Sequence, residues 1–399
     1  MAAIDSGSFD RGLGKTVDWR LVGCYLLLVL IGWLNIYASI HSSEPGSIFD
    51  WSVRSGKQAI WIATALVLDI LILFVINPRL WEVISPYAYA AVFFLLILVI
   101  FVSKDVKGSH SWFELGPVKF QPAEISKITT SLLLAMVMSK PNFRLSNRRH
   151  FLYVALIIGL PMLAILLFIL TLLTKWWVSV ALTGVLCLGY YIQVLRHSRR
   201  EARNLRRRML WRSLLVFLAG VVLVFATDFI FNNVLQDHQR SRIEVLLGMK
   251  EDPAGVGYNV RQSMIAIGSG GLFGKGFLQG TQTTYGFVPE QSTDFIFCTV
   301  GEEWGFLGCL TVILLYVFMI WRILNDADRS REAFTRIYGF CLAACLFMHL
   351  FINIGMTIGL MPVIGIPLPL LSYGGSSLWA FSVMIFIFIA LDRQEKKYF

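Results

Sequence analysis

In the stretch QPAEISK, Glu124 and Lys127 stand three apart, a spacing that puts both on one face of a helix where they can pair. Such a pair either holds helices together as a neutralised unit or forms the polar wall of an outward cavity, and the two roles are compatible. Further along, VPEQSTDFIF places Asp294 where a polar segment meets an apolar one. As a structural residue it would cap a helix N-terminus. As a chemical one, a carboxylate at a lipid–water boundary is placed to act as general base toward a lipid-attached substrate. GEEWG adds Glu302 and Glu303 about two turns into the next apolar span. Adjacent helical residues point to different faces, so at least one is expected to face the bundle interior in a structural or supporting role. Asp69, Asp228 and His349 are single polar groups in apolar stretches, expected to pack inward or lie near an interface.

A second group of residues suits an anion. DHQRSR carries Arg240 and Arg242, and GSGGLFGKG carries Lys275 among glycines. Glycine N–H groups with nearby cations fit a ligand such as pyrophosphate. The glycine run is not a nucleotide-binding P-loop, because GKG lacks the Ser or Thr after Lys and no strand precedes it. The six cysteines lie in or beside apolar stretches without a CxxC pair, and the six histidines form no HExxH. Neither a disulfide framework nor a zinc or histidine-based metal site is indicated.

These groups must be positioned by membrane helices. Of 399 residues, 56% are hydrophobic and only 15% charged, where a soluble domain carries about a quarter. A span needs about 20 apolar residues. Candidate spans fall at 21–40, 58–76, 83–102, 122–138, 151–170, 176–195, 213–231, 295–320, 337–358 and 374–391, an all-α polytopic fold of about ten helices read as a single membrane domain over 1–399. No cleavable signal peptide is evident in the polar first twenty residues. Lys and Arg concentrate in alternate loops, including the run RHSRREARNLRRRMLWR at 196–212, which also suits contact with anionic lipid. The positive-inside rule then places both termini, and the segment 1–20, in the cytoplasm. The net charge of +10 is a topology signal rather than a nucleic-acid footprint. Outside lie segments 42–57, 103–121, 359–375 and a large loop at 232–294, which is expected to fold back on the membrane with short or re-entrant helices. No internal repeat of the kind common in secondary transporters is visible.

Read in order, WFELGPVKFQPAEISK, DHQRSRI, GVGYNVRQSMIAIGSGGLFGKGFLQGTQ, FVPEQSTDFIF, GEEWGFLG and NIGMTIGLMPVIGIPLPLLSYGGSS resemble the SEDS family of bacterial cell-wall polymerases. GKGFLQGTQ and VIGIPLPLLSYGGS are similar to the elongation (RodA) branch rather than the division (FtsW) branch, which tends to carry TKGLTLPF. One departure stands out: the family's QPDxG-type motif is replaced by LLFILTLLTKWWVSVAL at 166–182, without an acid. The resemblance implies a peptidoglycan glycosyltransferase of the bacterial inner membrane that polymerises lipid II into a growing glycan strand. It implies partnership with a class B penicillin-binding protein and other elongation-complex proteins. It puts the catalytic acid at Asp294 and the aromatic and ion-pair cavity positions at Trp112, Glu124 and Lys127. Arg240, Arg242, Lys275, Glu302 and Ser372 complete the expected cavity and substrate-binding set. One carboxylate as base without a second as nucleophile implies single displacement with inversion. The leaving pyrophosphate calls for cations, either these side chains or a divalent ion such as Mg2+ or Mn2+. A lipid-linked precursor flippase and a non-catalytic scaffold of the cell-wall synthesis complex are the alternatives.

Overall fold

A computed structural model describes residues 17–41, 46–102, 113–115, 118–141, 256–361 and 363–398, with a few positions between 143 and 157. The chain divides into two compact units, residues 1–151 with 252–399, and residues 152–251. The second lies almost wholly outside the described residues, as do the expected spans at 176–195 and 213–231, the basic run, the stretch 166–182 and most of the span at 151–170. The description below concerns the first unit.

Among the described residues the protein is helical, with one short antiparallel hairpin. Its helices are α1 (Trp19–Ile40), α2 (Arg54–Phe74), α3 (Arg79–Val102), α4 (Pro122–Met138), α5 (Val256–Ser269), α6 (Thr281–Thr284), α7 (Ile296–Arg329), α8 (Ala333–Thr357) and α9 (Gly375–Tyr398). The hairpin pairs β1 (Phe113–Leu115) with β2 (Val118–Phe120) ahead of α4. Five of these helices, α1, α2, α7, α8 and α9, are long and apolar enough to cross a membrane. Some helices start earlier than hydropathy suggests. α2 begins at Arg54 rather than 58 and α3 at Arg79 rather than 83, because polar residues extend a helix into the interface without changing its apolar centre. Within the expected outer loop, α5 and α6 are the two short helices.

Contacts at the two ends of the unit show that α2, α7 and α9 run in one direction and α1 in the other. At one end, Arg54 at the start of α2 donates to Ser292 Oγ before α7 (2.9 Å), and Gly374 N before α9 donates to Gln58 Oε1 (3.3 Å). At the other, Asp18 caps α1 through Arg20 N and Leu21 N and accepts from Arg322 Nε in α7 (2.6 Å), while Arg393 of α9 donates to Leu73 O of α2 (2.7 Å). α9 is the central helix: 78% of its apolar window is buried, against 28% for α2 and α7. Lipid is as apolar as a leucine side chain, so close packing rather than hydrophobic transfer holds such helices together. Gly339 of α8 illustrates it, since an added Cβ would lie 2.6 Å from both Ala327 of α7 and Phe388 of α9.

α7 is not continuous. Gly305 has φ 66 and ψ −162, a region open in practice only to glycine, and it divides the helix into a short first segment and a long second one. The glycine loop after α5 fills the break. Lys275 N donates to Glu302 O and Gly276 N to Glu303 O (both 3.0 Å), while Phe306 N and Leu307 N donate back to Gly271 O and Leu272 O (2.9 and 3.2 Å). A Cβ at Gly305 would run into Gly274 N and the Leu272 carbonyl. Gly305→Ala is therefore expected to cost at least about 1–3 kcal/mol from backbone strain alone and to lower the thermal midpoint of the purified protein. Gly268→Ala, with open space around its Cβ site in a helical setting, is expected to be neutral or stabilising by up to about 1 kcal/mol.

Candidate active site

The turn that carries Asp294 is held from every side. Glu290 takes a positive φ of 52, and its carbonyl accepts from Thr293 N and Phe295 N (3.2 and 3.3 Å). The buried Gln291 amide donates to Ser39 O at the end of α1 and to Thr283 O of α6. Tyr373 N donates to Ser292 O (2.8 Å). Ser372 Oγ donates to Thr293 O (2.6 Å) and accepts from Leu368 N (2.8 Å). Asn353 of α8, fully buried, donates through Nδ2 to Asp294 O and to Ile366 O, each at 2.8 Å. The N-cap of α7 is Phe295, so Asp294 precedes the cap rather than forming it. Its side chain stays partly exposed. A Cβ on Gly365, whose φ is +73, would stand 3.4 Å from Asp294 Oδ2. That is ordinary van der Waals contact, so glycine there serves the left-handed backbone rather than the approach to the carboxylate.

On α4, the pair expected from spacing is formed: Lys127 Nζ lies 2.8 Å from Glu124 Oε2, and Glu124 is 6% exposed. The structure adds a third member. His349 Nε2 of α8 lies 3.0 Å from the same ammonium, and His349 Nδ1 lies 3.2 Å from Pro367 O. The Phe381 ring of α9 backs both, 4.9 Å from Lys127 Nζ and 4.9 Å from the imidazole.

Glu302 has no exposed side-chain surface. Its Oε1 accepts from Lys275 Nζ (2.7 Å) and Gln282 N (2.8 Å), and its Oε2 from Thr283 N (2.8 Å). Gln282 and Thr283 are the second and third residues of α6, whose N-cap position is Gly280. A glycine cap offers no side-chain acceptor, so the carboxylate of a distant helix supplies it. Lys275 also donates to Thr281 Oγ1 (2.8 Å). The glycine loop therefore spends its Lys275 and Gly276 N–H groups, and most of the Lys275 charge, on α7. Glu303 is buried as well, so both acids face inward. Asp69 packs inward, accepting from Tyr25 O–H (3.0 Å), which in turn meets Ser382 Oγ (2.8 Å). Trp112, Arg240, Arg242 and Asp228 lie outside the described residues. Asn353 and Gln291 are the positions that the sequence reading did not single out, whereas His349, named there as a lone polar group expected to pack inward, does so against Lys127. The only sequence signal at Asn353 and Gln291 is that each is a polar residue in or beside an apolar run.

Among the described residues no three side chains of His, Cys, Asp or Glu converge as a metal-ligand set.

The arrangement is that of a multi-pass helical membrane protein with the partly exposed Asp294 in a turn braced between helices. The chain belongs to the FtsW/RodA/SpoVE family, described as "Cell cycle protein", whose model matches residues 18–397. It is 36% identical over 357 residues to the peptidoglycan glycosyltransferase MrdB of Escherichia coli K12, covering 88% of each chain. Among solved structures it is similar to a chain from a study of how a peptidoglycan synthase complex coordinates polymerization and crosslinking. That match has 29% identity, a TM-score of 0.63 and coverage of 95% of this chain and 98% of the other. It is also similar to the rod shape determining protein RodA of Thermus thermophilus, with 25% identity, a TM-score of 0.54 and coverage of 95% and 97%.

Glu302→Gln keeps the shape of the acceptor but turns one oxygen into a donor facing an N–H group, and it leaves Lys275 without its partner. Hydrogen bonds to charged groups are worth about 1.5–3 kcal/mol. A double-mutant cycle of Glu302→Gln with Lys275→Met, read by thermal or denaturant unfolding in detergent, is expected to show coupling of about 1–3 kcal/mol. Additive effects would mean that the pair does not hold the loop.

Proposed function

We propose that this chain is a peptidoglycan glycosyltransferase that polymerises lipid II into glycan strands, with Asp294 as general base. One observation carries the assignment of the base. The turn around Asp294 is tied through the side chains of Gln291 and Ser292 to α1, α2 and α6, and through its main chain to α8 and the return segment, yet Asp294 stays partly exposed. A turn constrained so heavily around a partly exposed acid suits a group that must meet a substrate in fixed geometry. The lipid tail of the substrate would hold the sugar at the membrane surface within reach of that acid. Asp294 takes the proton of the acceptor hydroxyl as its oxygen attacks the anomeric carbon, and the bond to the lipid pyrophosphate breaks on the opposite face. Inversion turns an α-linked donor into a β-linked strand. Lys275 is largely engaged with Glu302 and Thr281, so the charge of the pyrophosphate falls mainly to Arg240 and Arg242. Trp112 and the Glu124–Lys127 pair are the positions that the family resemblance assigns to the substrate cavity, and Ser372 braces the turn through Thr293 O.

In this reading both termini lie in the cytoplasm, the membrane is the bacterial inner membrane, and segment 232–294 faces outward. A class B penicillin-binding protein crosslinks the strands. Support for that partner comes from the similar chain studied in a complex that couples polymerization to crosslinking.

Asp294→Asn keeps size and most hydrogen bonding but cannot accept the proton. It is expected to fold and insert normally while polymerising purified lipid II at least about a hundredfold more slowly. A stable, fully active Asn variant would remove Asp294 from the mechanism, and a wild-type protein making no strands with its partner present would favour a flippase or scaffold. For topology, a membrane-impermeant thiol reagent on intact cells is expected to label Tyr285→Cys, at a position 73% exposed, and to spare Arg203→Cys. The reverse pattern inverts the orientation.

A further inference from the structure

We propose that His349 is a positioning residue that carries the placement of the Glu124–Lys127 pair to Asp294 through the return segment between α8 and α9. The proposal rests on the reading of Asp294 as the base. A lysine ammonium can only donate, so at 3.0 Å from Lys127 Nζ the His349 Nε2 atom must be the acceptor. The neutral ring then carries its proton on Nδ1, and that N–H donates to Pro367 O at 3.2 Å. Lys127 thus selects the tautomer that can hold the return segment. Without the ammonium only the Pro367 oxygen favours this tautomer, because in the other one Nδ1 and that oxygen would be two acceptors facing each other, and the hold on the segment weakens.

The next link is the neighbouring carbonyl. Ile366 O accepts from Asn353 Nδ2, and the same amide donates to Asp294 O. His349 and Asn353 are four apart on α8 and so share a face. Two consecutive carbonyls of the return segment are therefore read by two side chains of one helix, and the second of those side chains also holds the base. Gly365, one residue earlier, lies against the Asp294 carboxylate. The resulting path runs from Glu124 to Lys127, His349, the 366–367 backbone, Asn353 and Asp294, with every hydrogen-bonded step at 2.8–3.2 Å.

The segment needs such a hold. Leu370 has φ 69, a left-handed conformation that costs a non-glycine residue roughly 1–2 kcal/mol. Pro367 and Pro369 have no N–H with which to anchor themselves. At the two prolines only the carbonyls can fix the segment, and Pro369 O is likewise bound, by Tyr316 O–H of α7. An ion pair serving only to join helices would not need a directional third partner on another helix.

Two substitutions at position 349 split the imidazole into its halves. His349→Asn places an amide nitrogen near Nδ1 and keeps the donor to Pro367, but does not reach Lys127. His349→Gln places an amide oxygen near Nε2 and keeps the acceptor for Lys127, but loses the donor to Pro367. The measurements are amide hydrogen exchange over 363–373 and steady-state lipid II polymerisation, both on the full-length protein with its partner. His349→Gln is expected to speed exchange at Ile366 and Leu368 and to lower kcat at least about tenfold with KM within about twofold, since a misplacement of about 1 Å can cost a hundredfold. Exchange within 385–389 of α9 should not change. Lys127→Met is expected to produce the same exchange signature, and combining it with His349→Asn should add little, because both break one path. Unchanged exchange over 363–373 in His349→Gln, or effects of Lys127→Met and His349→Asn that multiply, would overturn the proposal. The two readings fail separately. Faster exchange in these variants together with an active Asp294→Asn protein sinks the base and keeps the linkage, whereas unchanged exchange beside an inactive Asp294→Asn protein sinks the linkage and keeps the base.

Discussion

A helix interrupted in apolar surroundings must find partners for the backbone groups it releases, because no water is there to take them. The break in α7 at Gly305 imposes this demand, and much of the outer half of the described unit answers it. The loop from Gly270 to Gly276 lies against the break and exchanges four backbone hydrogen bonds with it. Its glycines permit the approach: an added Cβ at Gly270 or Gly274 would meet the carbonyls of Gly301 or Glu303. Once the loop is docked, Lys275 reaches Glu302, and Glu302 in turn caps α6. α6 then presents Thr283 O to Gln291, which ties down the turn leading to Asp294. A backbone requirement at one glycine thus propagates to the placement of the candidate base.

The same logic governs the return between α8 and α9. It is rich in proline and glycine, so it cannot pair with itself as a helix or strand would. Side chains of α7 and α8, Tyr316, His349 and Asn353, satisfy it instead, together with its own Ser372. Irregular backbone at membrane depth survives only where protein surrounds it, and here the surrounding polar groups also constrain Asp294. Fixing the loop and fixing the acid are one event, which is why residues far apart in the chain are expected to affect the same chemistry.

Much of this was legible in the chain itself. Charges isolated in apolar runs marked Glu124, Lys127, Asp294 and Glu302, because burying a charge in a lipid-facing chain is costly enough to require a reason. The i,i+3 spacing foretold the Glu124–Lys127 pair, and it is present at 2.8 Å. The glycine run read differently from its structure. From composition it suited an anion, yet its N–H groups at Lys275 and Gly276 are bonded to α7. Glycines that open a loop to phosphate and glycines that let a loop approach a helix have the same composition, and only the position of the second backbone distinguishes them. His349 and Asn353 were missed as site residues for a related reason. A single polar residue in an apolar span has many possible partners, and its role depends on which loop lies opposite.

The sequence by itself determined that this is a helical membrane chain, which segments are apolar enough to span, and which few charged residues had to be accounted for. These are local properties, set by the transfer cost of each side chain and its neighbours along the helix. Tertiary structure decided the rest. It determined that α7 breaks at Gly305 and that Lys275 belongs to Glu302. It also determined that a histidine turns an ion pair into a three-membered array, and that one asparagine holds the return segment and the Asp294 turn together. Each is a hydrogen bond between segments tens to hundreds of residues apart. Its existence depends on where two backbones come to lie, and no spacing along one segment encodes that.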